Sequence, residues 1–427
     1  MRGAYGTGLI RGVAVMLVCG AVGLQANDWP TFRGLDRLAT SKDTGLLKKW
    51  PEKGPKLVWE SKGVGRGYAS LAVAGDFIYT LGDGSSITGD KDEYLFCFER
   101  GTGKPVWHTK TGAAWNSGKP DWQSSRSTPS VDGDRVYVVT PEGVLFCCEA
   151  ATGKELWRKN LKEAFGGKKG DGWGYSESVL VDGDNVICTP GGEKETVVAL
   201  NKISGDEVWK CVREGDRGAG HSSVAISQIG GEKIYVQSTA SGPIGIRASD
   251  GKLLWSYPVP QTTAIIPTPI IRDDLVFFVA GYKRGGALLR QVPEGDGKVS
   301  IKEIYGLKPP LANKHGGVVL VGDYLYGDSD DQGIPYCADL MTGEIKWKTR
   351  GNGKGSAAIA VADGHLYIHY ASGLMVLANA DPKAYKEVSK FSVPGSGERP
   401  SWAHPVIVDG KLYLRENDRI LCYDLKG

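Results

Sequence analysis

Cys147 and Cys148 stand side by side in the segment VLFCCEAATGKELW. Adjacent thiols of this kind could close a vicinal disulfide or serve a redox centre. Three of the six histidines, His221, His315 and His404, sit in the short phrases GHSS, KHGG and WAHP. Imidazoles at one recurring phase can hydrogen-bond backbone, meet a polar ligand or share a metal. Asp328, Asp330 and Asp339 in DSDDQGIPYCAD follow roughly the ligand spacing of a calcium loop, with Gln332 and Gly333 between them. Against calcium, Pro335 and the strand onset at Tyr336 read as an acidic hairpin turn, and no terminal Glu completes the loop. The signatures G-x-S-x-G, H-E-x-x-H and the P-loop are absent, so the sequence assigns no catalytic residue.

The elements that must position these groups are repeats. Gly is followed four residues later by Trp at Gly103 and Trp107, Gly153 and Trp157, Gly205 and Trp209, Gly251 and Trp255, and Gly343 and Trp347. Between the last two copies, Gly297 leads to Ile301 in place of Trp, and a degenerate copy supplies Phe391. A second phrase keeps step: an apolar stretch, a Gly/Asp turn, then a β-branched or aromatic pair. Its eight copies are anchored at Tyr79, Tyr137, Ile187, Tyr235, Phe277, Tyr326, Tyr367 and Tyr413. Each unit therefore carries two hairpins, and four short antiparallel strands at this period predict a propeller blade.

The fold class expected is all-β: an eight-bladed β-propeller of four-stranded antiparallel blades. The last unit ends at LCYDLKG with no chain left for its outer strand, and the unpaired Trp59 lies 48 residues before Trp107. Residues 55–61 are expected to supply that strand and close the ring, which removes an open sheet edge. Trp59, Trp107, Trp157, Trp209, Trp255 and Trp347 then fill the wedge between a blade and its neighbour.

The same phase bears on the cysteines. Cys97, Cys147 and Cys337 each lie six residues before the repeat Gly, and Cys422 falls at the matching place in the last unit. Cys148 is in phase with Phe98, Leu200 and Ala338. Both members of the pair are expected to be small core residues, and the absence of C-x-x-C speaks against a zinc site.

In a propeller the segments entering the innermost strands converge on the central channel. They place Tyr68, Arg126, Tyr175, His221, Thr268, His315, Ser356 and His404 around one mouth, and Trp402 beside the last of these. Two inter-blade insertions add Trp115 and Trp122, and Trp173 with Glu177. Aromatic rings with Arg over a channel can stack a ligand or grip a peptide, or they can plug the mouth.

Residues 1–26 have the outline of a secretory signal peptide: Arg2 and Arg11, an apolar run from Gly12 to Leu24, and Ala26 at the cut. Residues 27–54 form an N-terminal arm and 55–427 the propeller. The expected location is exported, periplasmic or extracellular. No later run approaches the ~18 apolar residues of a transmembrane helix. Removing Arg2 and Arg11 takes the formal charge from +3 to +1, and no basic stripe exists to attract nucleic acid. A monomer is expected.

The segments ERGTGKPVW, EAATGKELW, NKISGDEVW, ASDGKLLW and DLMTGEIKW resemble the docking motifs of pyrroloquinoline quinone (PQQ) dehydrogenases. They are equally similar to the BamB-type propeller of outer-membrane barrel assembly. NDWPTFRG, WGYSES, KHGGVVLVGDYLYG and WAHPVIVDGKLYLR resemble exported PQQ-like repeat proteins. The resemblance implies two functions. One is a binding or assembly scaffold that uses a ring face for protein, peptide or glycan and needs no cofactor. The other is a PQQ-dependent dehydrogenase of reduced size, with PQQ and calcium. Quinoprotein alcohol dehydrogenases carry an adjacent-cysteine disulfide over the quinone, which invites comparison with Cys147 and Cys148. No local motif here matches their calcium-holding Glu, Asn and Asp.

Overall fold

Tight Gly/Asp turns between alternating apolar residues fold each repeat into two hairpins, and their sheets stand side by side around an axis. The computed structural model describes residues 28–84, 89, 91–116 and 122–427. The leader expected over residues 1–26 lies outside them. Among the described residues there are eight four-stranded antiparallel sheets, and seven of them are built from consecutive strands. The eighth is completed by the strand Lys56–Lys62, which pairs with Arg419–Asp424. Trp59 lies opposite Cys422, so the ring closes where the unpaired tryptophan required it. No helix among the described residues is long and apolar enough to cross a membrane.

The tryptophans join neighbouring blades by one repeated device. Trp59, Trp107, Trp157 and Trp209 donate their indole N–H to the carbonyls of Arg100, Ala150, Lys202 and Ala248 at 3.0–3.2 Å. Trp347 reaches Asp381 O at 2.8 Å in the same way. Each accepting carbonyl lies in the turn of the following blade. At Gly251 (φ 75°) a Cβ would sit 2.5 Å from the Trp209 ring, so the glycine both makes the left-handed turn and leaves room for the indole.

Two positions depart from the repeat. Ile301 does not take the docking place expected of it and packs back toward the fourth blade. Tyr305, four residues on, donates to Leu340 O at 3.0 Å and lies against Gly343. The cause is the long hairpin of Gly285–Gly295 and Lys298–Lys308, whose three register shifts slip the phase. Trp255, the remaining docking residue, is buried and bonds Gln291 Oε1 at 3.2 Å instead of a backbone carbonyl. Phe391 does occupy a docking place, against Gly54 in the turn that leads into the closing strand.

The cores lie between blades, and they separate the cysteine pair. Cys147 packs with Tyr137 and Val186 at the second seam, Cys148 with Tyr79 and Val138 at the first. Successive side chains on one strand point to opposite faces. All seven described cysteines are buried and free. Burial pushes the Cys147 thiol up to about 11 and Cys148 higher still.

The N-terminal arm does something its sequence did not announce: it threads the ring. Trp29 exchanges backbone hydrogen bonds of 2.8 Å with Val73 in the first blade, and Pro30 O accepts from Val131 N in the second. Arg37 donates to Ser178 O and Val179 O at 2.8 and 2.5 Å. Arg33 donates to Val318 O at 2.6 Å, and Ala39 O accepts from Val361 N at 2.8 Å. The arm thus ties blades one, two and three to six and seven. Burial lowers both guanidinium groups to about 10, and their hydrogen bonds go mainly to backbone carbonyls rather than to carboxylates.

Candidate axial cavity

Where the lead-in segments converge, the arm forms a floor and the ring mouth becomes a cavity of about 440 Å³. Phe32 and Arg33 come from the arm; Tyr68, Arg126, Trp173, His221, Thr268, His315, Trp402 and His404 come from the lead-ins. Trp122, Tyr282, Lys314 and Asp331 complete the polar and aromatic rim.

One wall is a continuous run of stacked groups. His315 lies on Trp402 with ring centroids 4.3 Å apart and planes 20° apart, and Tyr68 covers the other side of Trp402 at 4.7 Å. Arg126 follows, its guanidinium carbon 5.6 Å from the Tyr68 centroid, 4.9 Å from Trp115 and 5.9 Å from Trp173. Trp122 meets Trp173 edge-on at 4.8 Å. Burial lowers the pKa of Arg126, and its hydrogen bonds to Ser124 O and Trp122 O hold it in place.

Two hydrogen-bonded relays brace the histidines that lead into the fourth and sixth blades. His221 Nε2 lies 2.8 Å from Asp171 Oδ2 and its Nδ1 2.5 Å from Ser176 Oγ. Desolvation, with Lys169 nearby, holds this imidazole down to about 4, which leaves it neutral and a weak base at physiological pH. The bonds from Asp171 to His221 and from His221 to Ser176 hold all three side chains in place. Before the sixth blade His315 Nδ1 meets Ser356 Oγ at 2.9 Å, and that hydroxyl donates to Asp331 at 2.6 Å. His404 Nε2 lies 3.1 Å from His315 O. A carbonyl only accepts, so Nε2 carries the proton and Nδ1 keeps its lone pair. Burial beside Arg33 holds His404 at about 3, hence neutral.

Eight of the eleven mouth residues expected from the sequence line this cavity; Tyr175, Glu177 and Ser356 do not. Strand-like alternation in GYSES is the reason: Ser176 and Ser178 face the cavity, while Tyr175 and Glu177 turn into the blades. Tyr175 donates to Pro190 O at 2.8 Å. Glu177 accepts from Thr189 N at 2.7 Å and Gln237 Nε2 at 3.1 Å, and burial pushes its carboxyl up to about 7. Ser356 sits behind His315. Sequence reasoning missed Phe32 and Arg33, which carry no repeat signal. Lys314 and Asp331 adjoin residues that had been singled out.

The three carboxylates of the acidic loop do not converge. Asp328 is buried against Asn313 Nδ2 at 3.0 Å, Asp330 caps the Tyr282–Lys283 turn, and Asp339 accepts from Thr342. Among the described residues no group of three or more Asp, Glu, His or Cys could hold a metal ion. The Trp402 ring is engaged by His315, stacked on it, and by Tyr68, tilted against it.

Four polar atoms of residues that line the cavity have no partner in the fold: Arg33 Nη1, Thr268 Oγ1, Trp402 Nε1 and His404 Nδ1. Buried polar groups are nearly always paired, so each of these four is left to bond water or a ligand.

The profile of the family described as outer membrane protein assembly factor BamB matches residues 91–349. Among solved structures the chain is similar to BamB from Moraxella catarrhalis, at 16% identity and a TM-score of 0.58, covering 86% of this chain and 98% of that one. It is also similar to the quinohemoprotein alcohol dehydrogenase from Comamonas testosteroni, at 13% identity and a TM-score of 0.63, covering 94% and 81%. A europium-containing methanol dehydrogenase matches at 14% identity and a TM-score of 0.66, covering 91% and 89%. At these identities the likeness is one of fold. No curated protein matches by sequence.

Proposed function

Since the chain belongs to the family described as outer membrane protein assembly factor BamB, we propose that it is a non-catalytic binding propeller of an exported compartment. Its ligand or partner segment would enter the axial cavity from one face. The observation that carries this reading is the floored cavity with four unpartnered buried polar atoms among its lining residues. The stacked wall from His315 to Trp173 is held rigid by its own contacts, so little ordering cost remains at binding. Phe32 and Arg33 bring the arm into the cavity lining.

The dehydrogenase alternative draws on the likeness of fold to the two alcohol-oxidising enzymes. One experiment separates the readings. The full chain is mixed with PQQ and calcium and assayed for dye reduction with alcohols, while tryptophan fluorescence follows titration with peptides and glycans. The binding reading expects no dye reduction, and a saturable fluorescence change that Arg126→Gln weakens. Stoichiometric quinone uptake with alcohol-dependent dye reduction would overturn it.

A further inference from the structure

The unpartnered atoms belong to residues that line the cavity, and they differ in kind. Arg33, Thr268 and His404 are each more than nine-tenths buried, with exposures of 3%, 7% and 8%. Arg33 Nη1 and Trp402 Nε1 are donors and need an acceptor. His404 Nδ1 is the reverse: its ring proton is committed to His315 O, so it needs an O–H or N–H. Thr268 Oγ1 can serve either role.

Charge narrows the choice. Lys314 and Asp331 lie 3.4 Å apart and offset each other. Neither Arg33 nor Arg126 has a carboxylate within ion-pair distance among the described residues; Asp36 acts on the first, and Glu93 and Asp171 on the second, only at longer range, so neither guanidinium has a direct counter-ion. An anionic group restores the balance. The remaining surface is apolar, made by Phe32, Ile266, Pro267 and the aromatic rim, and it suits the C–H face of a saturated ring. The volume lies within the range of small-ligand sites.

We propose that the axial cavity binds a uronic acid, free or as the terminal unit of an acidic glycan. A uronate ring carries a carboxylate for the cationic donors, hydroxyls for His404 Nδ1 and Thr268, and apolar C–H faces for Phe32 and the rim. This inference rests on the binding reading above and adds the ligand class.

The test is calorimetric titration of the full chain with galacturonate and digalacturonate, and with galactose as the neutral parent that keeps the ring. A short peptide with a free C-terminal carboxylate forms a further arm. Uronates are expected to bind at least about tenfold more tightly than galactose, the discrimination of a charge-assisted hydrogen bond. Arg126→Gln should collapse that ratio, whereas Thr268→Val and His404→Phe should weaken both sugars and leave the ratio standing. Because Arg33 also seats the arm, Arg33→Gln is read only if its melt matches the parent chain. Equal affinity for uronate and galactose overturns the proposal, as does binding of the peptide alone; in both cases the binding reading survives. Absence of binding by every ligand, with no effect of Arg126→Gln on any fluorescence signal, overturns both.

Discussion

The indole N–H of Trp209 donates to Ala248 O at 3.0 Å across the seam between the third and fourth blades. The ring also fills the space a side chain would take at Gly251. Replacing Trp209, which is 7% exposed, by Ala removes the ring and leaves the carbonyl unpaired. The expected cost is about 3–5 kcal/mol in chemical denaturation. Trp157 is half-buried, so Trp157→Ala should cost less, about 2 kcal/mol.

The arm predicts a second stability effect. Arg37→Ala would leave Ser178 O and Val179 O without their charged donor in a buried place. A loss of about 2–4 kcal/mol is expected, together with faster proteolysis near residues 33–40. Limited digestion followed by mass analysis reads the cut site.

The cysteines should behave as core residues. Native protein should give no reaction with an aromatic disulfide reagent, and the buried thiols should react only as the fold opens. Cys147→Ala is expected to lower stability by about 1 kcal/mol without changing any redox response. Thiol counting before and after denaturant checks both.

Two buried carboxyls predict an unusual pH dependence. Glu93 and Glu177 are pushed up to about 7, chiefly by burial. A carboxyl whose folded value exceeds its unfolded value favours the fold when protonated. Its contribution is therefore fully present below about 4.5 and is lost as pH rises to about 7. His221 and His315, held near 4 by burial, act in the opposite direction between about 4 and 6.5. Glu93→Gln with Glu177→Gln should thus gain stability relative to the parent chain as pH rises from 4.5 to 7. Melts across that range test the sign, and a flat difference would remove the assignment.

Much of the architecture was legible because it is periodic. The Gly–Trp spacing and the Gly/Asp turns are local signals, repeated so often that blade number, strand phase and the closing role of Trp59 followed from counting. Where the period slipped, counting failed. Ile301 keeps the repeat's spacing in the sequence, but the lengthened hairpin of the fifth blade gives the docking role to Tyr305. Alternation misled in a similar way at GYSES, since a one-residue change of face sends Tyr175 and Glu177 into the blades.

What the sequence by itself determined is the propeller and the core role of Cys147 and Cys148, because each rests on strand alternation and turn chemistry within one repeat. Only the tertiary structure decided the cavity. Arg33 and Arg37 lie in a non-repeating arm, and their partners Val318 and Ser178 stand 285 and 141 residues away. Contacts of that range leave no local pattern, and the unpaired atoms that mark the site exist only once the ring has closed around the arm.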